Sequence, residues 1–265
     1  MARAAQAASR YCLSFTAAGL RPDLAAVIAG VYLEERDWNR TKAAVLERNA
    51  LQARSASSGK RLESELRQRL QQLQPPQLEV LATGTSDERS AMAWLAVLKR
   101  IPIAHELAKH VLVDKLDSLD PVLRRSDLAS FYEAQEREHP ELGALAPSSQ
   151  QKVRSALLQM VRDAGLLSGK GGRGGTLGTV QRPLLSPRVQ ELVANDDPAL
   201  LGGFLQNPVM HRRKTATGPA KPAASTQRQQ QTTAKPKPKA KPKPDATSTP
   251  RPAAKATSAS RRKSA

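Results

Sequence analysis

Cysteine is nearly missing from these 265 residues. Cys12 stands alone, which excludes an internal disulfide and a cysteine metal cluster and fits a reducing, cytoplasmic setting. Aromatic side chains make up only 3% of the chain, so stacking bases on aromatic platforms, a common route to RNA binding, is poorly supported. No apolar run approaches the roughly 20 residues that cross a bilayer, so a membrane is not an expected partner. Acids are absent before Asp23 and almost absent at the other end. From Val209 to Ala265 fifteen Lys or Arg face the single acid Asp245, which supplies +14 of the formal charge of +18. The remainder of the chain is close to balance, and the places where its cations gather carry the information.

The charged tail, with AKPKPKAKPKP at 234–244, has few apolar side chains to bury and reads as a disordered polyanion-binding segment or a solubilising appendage. Its cations favour nonspecific binding to polyanions by counterion release. At the other end Tyr11, Leu13 and Phe15 alternate before a Gly-Leu-Arg-Pro turn, the pattern of an arm packed on a domain rather than a cleaved leader.

Between the ends the pattern is helical. Leu24, Val27, Ile28, Val31 and Tyr32 recur at helical spacing after Pro22. Asp37 can cap a second helix that carries Trp38, Thr41 and Val45 inward, with a stop near Asn49. Ser55 or Ser57 caps a third helix that ends before Pro75-Pro76. Met92, Trp94, Leu95, Val97 and Leu98 mark a central helix that Pro102 breaks, and Leu107, Val111, Leu112 and Leu116 a further one. Asp120-Pro121 is the candidate internal boundary. Beyond it come helices at Ser126-Asp127 and Pro147-Ser148-Ser149, then Leu166-Leu167, a loop with six glycines from Gly169 to Gly178, and Thr179-Arg182 as a returning strand. That order describes a winged helix, with Lys170 and Arg173 at the wing tip; a plain flexible hairpin is the simpler alternative. Ser186-Pro187 and Asp197-Pro198 open two short closing helices. The expected organisation is an arm over 1–22, a helical domain over 23–119, a winged-helix-like domain over 120–207 and the tail over 208–265.

The third helix is the most informative stretch. On a wheel of about 100° per residue, Leu62, Leu66, Leu70 and Leu73 share one arc, and burying each contributes roughly 1.5–3 kcal/mol before entropy is subtracted. Ser57, Lys60, Arg61, Ser64, Arg67, Gln68 and Gln71 fill the opposite arc, and Glu63 and Glu65 fall on the flanks. A face of cations and neutral donors suits phosphates and base edges, although a solvated surface face would look the same. The connection from Asn49 to Arg54 is longer than the three or four residues of a standard helix-turn-helix.

Two other patterns lack the chemistry they suggest. The glycine loop lacks the Gly-Lys-Ser/Thr ending of a phosphate-binding loop and follows a helix instead of preceding one. His105-Glu106 with His110 resembles a zinc-protease motif, but a spacing of five puts the histidines about 140° apart on a helix, too far round to share one ion. With no clustered nucleophile, base or metal ligands, neither catalysis nor a cofactor is expected.

Several blocks, among them YCLSFTAAGL at 11–20, VLERNALQARSASSGKRLESELRQRL at 45–70, QLEVLATG at 77–84, WLAVLKRIPI at 94–103, FYEAQEREHPEL at 131–142 and LLQMVRDAGLLS at 157–168, resemble in order the BrxA family of bacteriophage exclusion (BREX) defence systems. The resemblance implies an all-α globular protein with two helix-turn-helix-like elements. By position these are the stretch around Arg54 to Arg69 and the one around Gln151 to Arg162. It further implies binding to double-stranded DNA beside other BREX components. Arg54, Ser57, Lys60, Arg61, Ser64, Arg67 and Gln68 are the expected contacts of the first element, with Lys152, Arg154, Lys170 and Arg173 those of the second. A protein–protein assembly module, or an RNA-binding protein, is the alternative.

Overall fold

Helix starts in this chain are set either by side chains that satisfy the first free amides, as at Asp37, Ser55, Thr85 and Ser186, or by a proline in the first turn, as at Pro22, Pro102 and Pro147. The computed structural model describes residues 11, 14–169 and 171–206; the expectations that fall on Leu13, Lys170 and the basic tail lie outside them. After a 3-10 turn at Ser14–Ala17 the helices are α1 (Pro22–Glu35), α2 (Trp38–Glu47), α3 (Ala56–Leu70), α4 (Pro75–Thr83) and α5 (Ser86–Arg100). Asp37 accepts from the amides of Asn39 and Arg40 at 2.9 and 2.8 Å, and Ser55 accepts from Ser58 at 3.2 Å. Asn49, in the left-handed region at φ 44°, closes the turn after α2.

Pro75 and Pro76 do more than end α3. They open α4, because proline is tolerated in a first turn, and Gln74 and Gln77 cap it reciprocally. α4 then contributes buried Leu78, Val80 and Leu81 to the core.

α5 is the axis of the core. Its buried run from Ala91 to Leu98 meets α1, α3, α4, α11 and the closing 3-10 turn, and the fully buried Trp94 donates its indole N–H to Gly203 O at 2.9 Å. α6 (Pro102–Leu107) runs through a π-helical turn at Ala108–Leu112 into α7 (Val113–Asp117). Then come β1 (Val122–Arg124), α8 (Arg125–Glu138), α9 (Pro140–Gly143), α10 (Pro147–Asp163), β2 (Leu167–Ser168) and β3 (Thr176–Val180). α11 (Pro187–Asp196) and the 3-10 turn Pro198–Phe204 close the described residues and return to α4 and α5. Lys99 meets Asp196 at 2.7 Å there, and Ser186 donates to Glu88 at 2.8 Å.

Among the described residues the architecture is helical apart from one antiparallel sheet of order β1-β3-β2. β1 had no sequence signal; three residues are too few to show alternation. It pairs Val122 with Thr179 and Leu123 with Gly178. At Gly178, φ 155°, an added Cβ would lie 2.6 Å from Ser168 O, so glycine lets β2 and β3 approach.

Candidate nucleic-acid interface

α3 presents its outer face only over its first half. Arg54, Ser57, Ser58, Lys60 and Arg61 are exposed, and the helix is held there by the Ser55 cap and by Asn49, whose side-chain oxygen accepts from Ala53 N at 3.1 Å. Exposed cations continue onto α2 and its flanks at Arg36, Arg40, Lys42 and Arg48, with Asp37 and Glu47 the exposed acids over 36–61. Arg48 approaches Glu34 only loosely, at 3.9 Å with both side chains more than half exposed, a pair worth little in water.

The second half of α3 departs from the wheel. Glu63 and Glu65 are buried, not on an open flank, because α1, α2, α5 and the Ser14–Ala17 turn enclose the helix. Each carboxylate is paired one turn on: Arg67 Nε meets Glu63 at 2.7 Å and Arg69 Nε meets Glu65 at 3.0 Å. Arg69 also donates to the carbonyls of Phe15 and Gly19, fastening the N-terminal turn to α3. Ser64 accepts from Gln68 at 3.1 Å while Arg100 donates to the Gln68 oxygen. Ser64, Arg67 and Gln68, expected as contacts, are thus half-buried and engaged within the protein. Arg54, Ser57, Lys60 and Arg61 are the ones presented.

In the second element, Val153, Leu157, Met160 and Val161 anchor α10 while Ser148, Gln151, Lys152, Ser155 and Gln159 form its exposed stripe. Lys152 is therefore presented. Arg154 is not; it pairs with Glu136 at 3.3 Å and lies over the Tyr132 ring at 4.8 Å, tying α10 to α8. Burial pushes the Tyr132 phenol pKa up, which keeps a neutral ring beneath that cation. Arg162 reaches Leu177 O and ties α10 to β3. The Arg173–Gly175 turn forms the tip between β2 and β3, with Gly174 and Gly175 at φ 79° and 80°.

β1 is pinned by a charge cluster that sequence reading missed. Lys115 lies 2.9 Å from Asp127 and 3.3 Å from Asp120, Arg124 lies 2.6 Å from Asp120, and the Arg124 amide donates to Asp127 at 2.7 Å. The Arg124 guanidinium, aided by Lys115, holds the Asp120 carboxyl at about 2.

The two elements border one groove of about 970 Å³. Arg54, Ser58 and Leu62 line it from the α3 side, Gln159 and Asp163 from α10, and Arg21 from the start of α1. His110 pairs with Glu106 at 2.9 Å, while burial lowers the pKa of half-buried His105. Among the described residues no group of three or more His, Cys, Asp or Glu could hold a metal ion, and no helix is long and apolar enough to cross a membrane.

A family model described as BrxA matches residues 9–197. The BREX protein BrxA of Escherichia coli O9:H4 (strain HS) is 27% identical over 139 residues, which cover 52% of this chain and 65% of that protein, just under two thirds of its length. A crystal structure of an uncharacterized protein from Magnetospirillum magneticum shares the fold, with a TM-score of 0.63 and 19% identity over 74% of this chain and 98% of that one.

Proposed function

The chain belongs to the BrxA family, and from that premise we propose that it is a non-enzymatic DNA-binding component of a BREX-type phage-defence system, working in the cytoplasm beside other BREX components. The observation that carries this reading is the run of exposed cations on α2 and the first half of α3, from Arg36 to Arg61, with few acids among them. Such a surface binds the phosphate backbone by releasing its counterions. The C-terminal end of the α10 stripe, at Gln159, borders the groove that Arg54 lines, which sets the second helix beside the first.

The test is a gel-shift titration of the chain and of its Arg54→Ala/Lys60→Ala/Arg61→Ala variant, each with and without residues 208–265. Losing three phosphate contacts should reduce the slope of log affinity against log salt by about 2–3 and weaken binding by about tenfold or more. Unchanged affinity in the tail-less pair overturns the assignment.

A second reading is an assembly module whose basic face docks an acidic protein surface. The same exposed cations from Arg36 to Arg61 would serve that docking, since a run of one charge sign complements an acidic partner as it does a phosphate backbone. That reading wins if the tail-less chain shows no salt-dependent retention on DNA yet co-purifies with other products of its defence locus.

A further inference from the structure

We propose that the two elements divide the work: the α2–α3 cations bind phosphate whatever the sequence, and α10 reads bases, with Gln151 selecting an adenine in the major groove. This rests on the DNA-binding reading above.

The exposed stripe of α10 is chemically unlike that of α3. Ser148, Gln151, Lys152, Ser155 and Gln159 recur at three- and four-residue spacing, so they fall within about 100° of arc. Their groups are two amides, two hydroxyls and one ammonium. The flanking cations are withdrawn from the stripe, Arg154 by Glu136 and Tyr132 and Arg162 by Leu177 O. What remains is a nearly neutral ridge of hydrogen-bonding groups on a helix, and a helix fits the major groove. In α3 the only amide within the helix, Gln68, is occupied by Arg100 and Ser64, and the exposed groups are cations and serines.

The stripe itself has two ends. At the C-terminal end Gln159 donates to Asp163 at 2.7 Å, which occupies the amide and places a carboxylate where a phosphate would be repelled. At the N-terminal end Gln151 donates only weakly to Ser155 Oγ, at 3.4 Å, so its amide is oriented along the helix without being tied. A glutamine amide offers a donor and an acceptor together, the pattern that matches adenine N7 and N6. Lys152, its exposed neighbour, can reach a flanking phosphate.

Selection of the full chain on a randomised duplex library at about 0.15 M salt tests the division. The parent chain is expected to enrich one A·T position, preferred over other pairs by about 5- to 150-fold. Gln151→Ala, an exposed change, should keep the melting temperature and the affinity for random duplex within about twofold while abolishing that preference. Lys60→Ala should weaken binding to every duplex alike and leave the preference in place. The proposal is overturned if the parent binds all duplexes equally, if Gln151→Ala retains the preference, or if Lys60→Ala removes it. Those outcomes leave DNA binding itself standing, whereas an intact affinity in the triple cation variant removes the functional reading beneath.

Discussion

Arg69 shows how a cation of α3 becomes part of the interior. It is 2% exposed, pairs with buried Glu65 and donates to two backbone carbonyls of the N-terminal segment. Removing one partner of such a pair strands the other charge away from water. Arg69→Met should therefore cost about 3–5 kcal/mol, and Arg69→Met/Glu65→Met should recover much of that loss in urea titrations. A double variant no more stable than the single one would show that the carbonyl contacts, not the ion pair, dominate. Asp120 gives a pH signature of the opposite kind. Its carboxyl titrates at about 2 in the fold, below the roughly 3.9 of an unfolded chain. Its contribution is therefore complete above about pH 4 and lost as pH falls toward about 2. Asp120→Asn should be less stable than the parent at neutral pH, with the gap closing in acid; a pH-independent gap in urea midpoints would contradict this.

At the scale of elements, capping was the most legible feature. Asp37, Ser55, Ser186 and Asp197 cap where their residue types suggested, because a cap depends on only three or four neighbouring residues. Ser55→Ala should cost about 1 kcal/mol and loosen the half of α3 that carries Lys60 and Arg61. Hydrogen exchange would then quicken first at 56–59. α4 was illegible for a related reason: a double proline stops one helix and starts another equally well, and only the Gln74–Gln77 cap distinguishes the two. The β2–β3 hairpin shows a different limit. Glycines advertised the loop, but the β1–β3 pairing joins residues more than 50 apart and leaves no local pattern. Arg162→Ala should free Leu177 O and speed exchange across 167–180 with little change in melting temperature, since the α10 core contacts remain. A large drop in melting temperature would instead make Arg162 a core fastening.

For the whole molecule, charge is divided between a basic face on the described residues and a tail carrying +14. Deleting residues 208–265 should lower the salt slope of duplex binding by several units while leaving any base preference unchanged, because a lysine ammonium meets phosphate as a point charge and phosphate contacts carry no sequence information. Loss of preference in the tail-less chain would assign reading to the tail. The sequence by itself determined the helical class, most helix starts, the leucine face of α3 and the uneven charge, since each depends on local spacing or on counting. Only the tertiary structure decided which cations are available. Lys60 and Arg67 share one face of the wheel, yet Lys60 is open to solvent and Arg67 is bound to Glu63. The difference arises from the neighbours that enclose the second half of α3, which helical periodicity does not record. The same holds for Lys152 and Arg154, two residues apart on α10, one exposed and the other bound to Glu136 and laid over Tyr132 of α8.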